Sequence, residues 1–452
     1  GRVEEEVLPR LRPSRLQLAL LERLYGIVRG RLEGCRELSR LGGEWRVTLQ
    51  GSMAKGTMLS DKWEIDVFVL VDGGREAIGR WGEKVLRRCL RGLPIVVRYS
   101  EHPYVTVAMM GLQADVVPAP KARSPAEARG GVERTPFHTE YVASRISRRP
   151  CLADDVRLLK SFLKALEVYG AETHIAGFSG YVAELLVIAY GGFRGVLREA
   201  ARWRPPVYVD PEGVGDEGAL RRRYRDSPLI VVDPVDPERN AAAAVSTRSL
   251  ATLVLASRVY LERPTQRLFH LFLGKPRYKP MPGVAVVLYG DFYLHPPEAV
   301  WGRLKRLADG LYRVLTSRGY PAVYRSFWTD EATIAAAYVH MPTTTTPKLE
   351  ARGGPEAWAR VDRVLGFVEK RVVEGGWLWV GDDGSIRGAR PSRLSGAAFE
   401  AERALEGLAK PPGYRGYMVV ECTWPSPCGL PGPLEELRDP TPRWLRAALE
   451  EG

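Results

Sequence analysis

The segment GSMAKGTMLSDKWEIDVFVLV, residues 51 to 71, sets Glu64 and Asp66 one isoleucine apart in an otherwise apolar run. Side chains alternate along a strand, so both acids point to one face while Ile65, Val67, Val69 and Val71 fill the other. At about 3.3 Å of rise per residue, their Cα atoms lie roughly 6.6 Å apart. Like charges so placed raise each other's pKa and cost stability unless water or a cation compensates them. Carboxylate oxygens suit Mg²⁺, which binds through one or two carboxylates together with substrate phosphates. Asp115, in LQADVVPA, is the candidate third ligand. Paired Mg²⁺ ions about 3.5 to 4 Å apart bridge carboxylates of adjacent strands in sites that displace a leaving oxygen from phosphorus. Alone, an acid pair at this spacing more often marks a strand rim facing water.

The residues upstream change that balance. Gly51 lets a backbone approach an anion closely, and SMAKGTML can begin a helix whose free N–H groups attract phosphate. Ser52 and Lys55 sit about one turn apart on its same side and offer a hydroxyl and a positive charge to one triphosphate. The order Lys-Gly-Thr is not that of a Walker A loop. A Gly-Ser turn, a dipeptide-spaced acid pair in a strand, and a third acid in a later strand together predict a nucleotide and metal site.

This pattern resembles the nucleotidyltransferase superfamily that includes DNA polymerase β, and specifically the archaeal, class I CCA-adding enzymes. The resemblance continues through RTPFHTEYV (134 to 142), VRLLKSFLKALEVYGAE (156 to 172), GFSGYVAELLVIAYG (177 to 191) and DPVDPERNAAAAVS (233 to 246). It implies addition of C, C and A from CTP and ATP to the tRNA 3′ end without a template. It further implies that Glu64, Asp66 and Asp115 hold two Mg²⁺ ions. Ser52 and Lys55, with His138, Lys160 and Tyr169 from the later motifs, are implied to hold the nucleotide. Read singly, His138 is a capping or core histidine, Lys160 a solvated helix residue and Tyr169 a helix-end aromatic. Lys160 lies two residues from both Leu158 and Phe162, off the apolar stripe, and so is expected to reach across a cleft.

Elements that would position these groups follow from periodicity. Residues 12 to 40 carry leucines at three- and four-residue spacing and predict one amphipathic helix; EWRVTLQG and WEIDVFVLVDGG predict strands. Further β-type runs in 94 to 119, punctuated at Glu101-His102-Pro103 and Gly111, complete a sheet. From 151 the pattern turns helical through about 262. Strand-like runs return in GVAVVLYGDFYLH, AVYRSFWTDEATIAAAYVHM and GYMVVECTWP, alternating with helices at Trp301 to Arg318 and Pro355 to Val373. The expectation is a multidomain α+β protein. Its parts are a polymerase-β-like catalytic sheet domain over 1–150, a helical central domain over 151–265 that completes the nucleotide site, and an α+β, tRNA-binding region over 266–452.

With 452 residues and 45% hydrophobic content, the chain can bury several cores, about three domains' worth. A net charge of +12 favours a polyanionic partner, with nucleic acid ahead of a membrane surface. Arg221, Arg222, Arg223 and Arg225 with Tyr224, and Arg303, Lys305, Arg306, Arg313 and Arg318, are candidate RNA contacts, equally readable as solvated faces. The C-terminal region is expected to measure the acceptor and TΨC arms through shape and phosphates, without reading sequence. No apolar stretch reaches the roughly 18 residues of a membrane span, and the acidic opening GRVEEEVLPRL is unlike a secretory leader, so a cytoplasmic location without membrane contact is expected. A homodimer is left open. Five scattered cysteines without a CxxC pair predict free thiols, with Cys422–Cys428 as the one conceivable bridge. GVGDEG at 213 to 218 matches a dinucleotide fingerprint but precedes too short and basic a helix, and is read as a surface loop. Asp233 and Asp236, flanked by Pro234 and Pro237, read as a turn. Other readings of the same chemistry are a poly(A) polymerase or another terminal nucleotidyltransferase, or a non-catalytic RNA-binding protein.

Overall fold

A computed structural model describes residues 1–452 except 73–74, 100–102, 275–277, 345–348, 374, 392–395, 424–427 and 450–452, so the Glu101-His102 punctuation lies outside the described residues. The chain divides into two units, Gly1–Pro276 with Arg443–Gly452, and Arg277–Pro442.

The first unit contains a five-stranded sheet of β1 (Trp45–Gln50), β2 (Glu64–Val71), β3 (Ile95–Tyr99), β4 (Pro103–Met109) and β5 (Leu112–Pro120), in the order β1-β2-β5-β4-β3. Strands β2 and β5 run parallel; the other neighbours are antiparallel. Alternation works as the sequence predicts, with Ile65, Val67, Val69 and Val71 buried in one core. That core is closed by Leu21, Leu24, Val28 and Leu32 of one helix and by Ile78, Val85 and Leu86 of another.

The expected single helix over 12–40 is two pieces, α2 (Arg15–Glu33) and a 3-10 turn, Arg36–Leu41, and a separate helix, α1 (Arg2–Leu11), precedes it. Pro13 keeps Arg12 extended, and the Ser14 hydroxyl accepts from Gln17 N–H at 3.0 Å, so α2 starts afresh there. The helix expected to open at Ser52 is one turn, α3 (Gly51–Ala54), too short for an N-terminal dipole of consequence. Helix α4 (Arg75–Cys89) carries only a thin stripe of Ile78, Val85, Leu86 and Cys89 interrupted by glycine, too weak a period to mark it in the sequence.

Beyond the sheet lie α5 (Gly131–Arg148), α6 (Leu152–Ala165), α7 (Gly180–Tyr190), α8 (Phe193–Ala200), β6 (Val207–Val209), α9 (Glu217–Arg223), β7 (Leu229–Asp233), β8 (Asp236–Asn240) and α10 (Thr247–Glu262). Their core joins Leu159, Phe162, Leu185, Phe193, Leu253 and Tyr260 with Val7 and Leu11 of α1 and Trp444 near the C-terminus. The Ser246 hydroxyl caps α10 and so sets its start at Thr247, after the strand that ends at Asn240.

One expectation is corrected at GVGDEG. Residues 213–216 do form a loop, but one that leads into α9 between parallel β6 and β7, so it belongs to a small βαβ unit that the short helix argues against in sequence. The Asp210 carboxylate accepts the N–H groups of Glu212, Gly213 and Gly215 at 3.2, 2.8 and 2.7 Å. The amides that a phosphate would need are thereby filled from within.

The second unit holds a four-stranded antiparallel sheet of β9 (Gly283–Gly290), β10 (Tyr324–Thr329), β11 (Ile334–His340) and β15 (Tyr414–Cys422), ordered β10-β11-β9-β15. Leu304, Leu307, Leu311 and Leu315 of α11 (Pro297–Ser317) and Ala401 and Leu405 of α13 (Ala397–Gly407) cover one face. A smaller sheet, β12 (Leu349–Glu356), β14 (Ser385–Pro391) and β13 (Trp377–Val380), carries α12 (Val361–Val373). The helix expected from Pro355 therefore begins six residues later, because Pro355 and Glu356 belong to a strand. Among the described residues, no single helix is long and apolar enough to cross a membrane.

The expectation of free thiols is overturned. Cys35 pairs with Cys89 and Cys422 with Cys428, while Cys151 is free and exposed. Folding brings Cys35 and Cys89, 54 positions apart, to a Cα separation of 5.4 Å, a proximity that residue spacing cannot reveal. Closing a loop of that length removes unfolded-state entropy worth about 4 kcal/mol. Cys89→Ser is expected to lower the unfolding free energy of the first unit, read from denaturant titration, by about 4 kcal/mol, and reductant should do the same to the native chain but not to the variant.

Candidate active site

Pairing carries the three acids to one place. Asp66 of β2 is in register with Asp115 of β5 and with Gln50 of β1, and Thr106 of β4 is in register with Asp115. The four side chains form a row on the face opposite the buried valines, with Glu64 two residues up β2. Farther along the same face, Phe68 and Leu70 pack with Ala119 and Val132, so only the beginning of β2 is open to the site.

Thr106 donates its hydroxyl to Asp115 Oδ1 at 2.6 Å. Burial pushes the Asp115 carboxyl above its ordinary value; the Thr106 hydrogen bond opposes this, and Asp66 and Glu64 add to it. Gly51 is set by the same carboxylates. Its φ of +69° is left-handed, and a Cβ there would run into the Asp66 carboxylate.

A cleft of about 560 Å³ opens beside the row, lined by Gly51, Ser52, Lys55, Glu64, Asp66, Lys160 and Tyr169 among others. Seven of the nine sequence-predicted residues therefore share one cavity. Asp115 lies one strand behind it. His138 does not line it: its Nε2 faces Asp233 Oδ2 at 2.9 Å, and its ring stacks on Tyr181 with centroids 3.9 Å apart. Burial lowers the His138 pKa, with Asp233 pulling the other way, and Tyr181, which does line the cleft, also donates to Asp233 at 2.8 Å. Asp233 is thus a buried anchor at the head of its turn, and Asp236 pairs separately with Arg134 at 3.1 Å.

Lys160 is not the solvated helix residue it resembles when read singly: it lines the cleft and reaches from α6 to Thr57 in the segment after α3. It is 3% exposed and donates to Glu184 Oε1 at 2.8 Å and Thr57 Oγ1 at 3.0 Å. Lys55 donates to the other oxygen of Glu184 at 2.9 Å, and Thr57 to the first at 2.7 Å. Burial would raise the Glu184 pKa, yet the ammonium groups of Lys160 and Lys55 hold it at about 2. One fully buried carboxylate of α7 therefore locks a lysine from the α3 loop and a lysine from α6 at the wall of the cleft. Gly180 leaves the space for this, since a Cβ there would press on the Tyr169 hydroxyl and approach Lys160 Nζ.

Two matches decide the family. Residues 32–138 match the model described as "Nucleotidyltransferase domain", and residues 154–270 the model "tRNA nucleotidyltransferase, second domain". The chain is 54% identical to the CCA-adding enzyme of Aeropyrum pernix over 99% of its own length and 96% of that protein's. It is 34% identical to the CCA-adding enzyme of Sulfurisphaera tokodaii over 98% and 100%, and 35% identical to that of Saccharolobus solfataricus over 85% and 87%. The chain belongs to the CCA-adding enzymes.

The carboxylates, Ser52 and Lys55 fall within the first matched segment, and Lys160, Tyr169 and Glu184 within the second. Glu184 is consequently the link that sequence reasoning missed. In AELLVIAY it reads as a stray acid in a buried helix, and a buried acid demanding a cation is the one signal that pointed to it. Lys62 was missed too. Its ammonium lies 3.1 Å from Glu64 Oε1 and 3.6 Å from Asp66 Oδ2. Burial opposes that charge, but Asp66, Glu64 and Asp115 together raise the Lys62 pKa.

Among the described residues, no three Asp, Glu, His or Cys side chains are gathered tightly enough to ligate one ion as they stand. The cation that Glu64 and Asp66 hold is the Lys62 ammonium. This donor set, all oxygen, anionic and already drawing a positive charge, fits a hard divalent ion once the flexible lysine swings aside.

Glu184→Gln leaves two ammonium groups sharing a neutral amide in a buried place. It is expected to destabilise the first unit by about 3 kcal/mol in denaturant titrations. The pH dependence has a defined sign. Because the folded pKa of about 2 lies below the ordinary 4.5, the contribution of Glu184 is complete above 4.5 and is lost as pH falls towards 2. The variant should lose that portion of the native chain's acid sensitivity.

Proposed function

We propose that this cleft adds CMP, CMP and AMP from CTP and ATP to the 3′ end of tRNA in the cytoplasm, and that Mg²⁺ is the divalent ion. The observation that carries this reading is the register of Asp66 and Asp115 on neighbouring parallel strands, beside a cavity that also receives Ser52, Lys55 and Lys160. In the reaction the tRNA 3′-hydroxyl oxygen bonds to the α-phosphorus while the bond from that phosphorus to the α,β-bridging oxygen breaks, releasing pyrophosphate. Mg²⁺ held by Glu64, Asp66 and Asp115 would lower the pKa of the attacking hydroxyl and neutralise charge on the leaving group.

The chain's own residues divide the remaining work. Ser52, whose buried hydroxyl has no hydrogen-bond partner among the described residues, offers a donor to a phosphate oxygen. Lys55 and Lys160, pre-positioned by Glu184, present positive charge to the triphosphate without having to order long side chains on binding. Gly51 admits the triphosphate close to the backbone. Tyr169 presents its hydroxyl next to Gly180. His138 acts through Tyr181, against whose ring it lies, and so positions the cleft wall instead of touching the nucleotide.

Asp66→Ala is expected to abolish Mg²⁺-dependent incorporation of labelled CTP and ATP into tRNA lacking its 3′ end, with circular dichroism and tRNA affinity retained. Normal extension by that variant would remove the carboxylates from the mechanism. Extension of the same tRNA with ATP but never CTP would instead make the chain a poly(A)-type transferase.

A further inference from the structure

The back of the catalytic sheet carries a second feature, unrelated to the cleft. A groove of about 300 Å³ runs between the 3-10 turn Arg36–Leu41 and α4, and is lined by Arg40, Trp81, Lys84, Val85 and Arg88. Val85 is buried in the core that also takes Ile65, Val67 and Val69, so this groove lies on the face opposite Glu64 and Asp66. Trp81 is 46% exposed, and the Lys84 ammonium sits 5.2 Å from its ring centroid. Arg40 and Lys84 meet no carboxylate among the described residues, and Arg88 has only Glu37 at 3.4 Å. Three cations thus surround one exposed aromatic surface. The Cys35–Cys89 bond ties the start of the turn to the end of α4, fixing both walls.

We propose that this groove binds single-stranded RNA, one base stacking on Trp81 and the flanking phosphates meeting Arg40, Lys84 and Arg88. An indole bordered by guanidinium and ammonium groups is the arrangement that holds unpaired nucleotides without reading their sequence. The volume suits about one nucleotide, at the small end of ligand sites. The net charge of +12 supplies the long-range attraction. Because the site lies behind the carboxylates, it anchors an RNA segment other than the 3′ end that is being extended, and it stands whether or not the catalytic assignment does.

The test is fluorescence anisotropy of the full chain with a labelled oligouridylate bearing a 3′-phosphate, at several salt concentrations. Trp81→Ala should weaken binding at least about fivefold, and Trp81→Phe should restore it. Arg40→Glu combined with Lys84→Glu should weaken it about tenfold or more and reduce the slope of log affinity against log salt by about 1.4, two phosphates' worth. CTP affinity should not change in either variant, because the cleft is on the other face. Unaltered affinity and salt slope in the charge variant overturn the proposal. A charge variant that loses polyglutamate and RNA equally, with Trp81→Ala neutral, overturns it as well, since the groove would then attract any polyanion.

Discussion

Three carboxylates on one face of a sheet repel one another, and the arrangement around them answers that repulsion. Parallel pairing puts Asp66 and Asp115 side by side, where their charges are strongest for a metal and most costly without one. Lys62 supplies a counter-charge from the loop that leads into β2. Thr106 occupies one oxygen of Asp115, and Gly51 gives up its side chain to make room for Asp66. The valines on the opposite side of β2 hold the strand firmly enough for the acids to stay where they are.

A second charge problem is solved in the reverse sense. Here the acid is single, deeply buried, and matched by two lysines from different parts of the chain. Removing two ammonium groups and a carboxylate from water is costly, and the pairing recovers that cost only because Thr57 completes the hydrogen bonds. The outcome is a cavity wall whose positive charge is already oriented before a triphosphate arrives. Negative face and positive wall then present opposite signs across one space, which is the field that a metal-bound triphosphate would meet.

Some residues that look functional in sequence turn out to serve structure. The Gly-rich 213–218 stretch spends its amides on Asp210, and Arg318, counted with a basic cluster, is drawn to buried Glu400. Arg221 and Arg223 are partly committed as well, to Glu217 and Glu238. Composition counts charges without regard to such partners, so it overstates how many are free to meet RNA.

The sequence by itself determined the strand that carries Glu64 and Asp66, its acid and valine alternation, and the candidate third carboxylate, because these are written in short-range spacing and in runs of residue type; the family entered as a resemblance between whole motifs. It also located helices and strand-like runs whose periodicity is strong, such as α11 and the run that folds into β10 and β11. Tertiary structure alone decided which distant groups meet: Glu184 with Lys55 and Lys160, Cys35 with Cys89, His138 with Asp233 and Tyr181 instead of the cleft. The physical reason is that a residue's type and neighbours constrain which face it occupies, whereas its partner across the fold is chosen by register and packing among elements far apart along the chain.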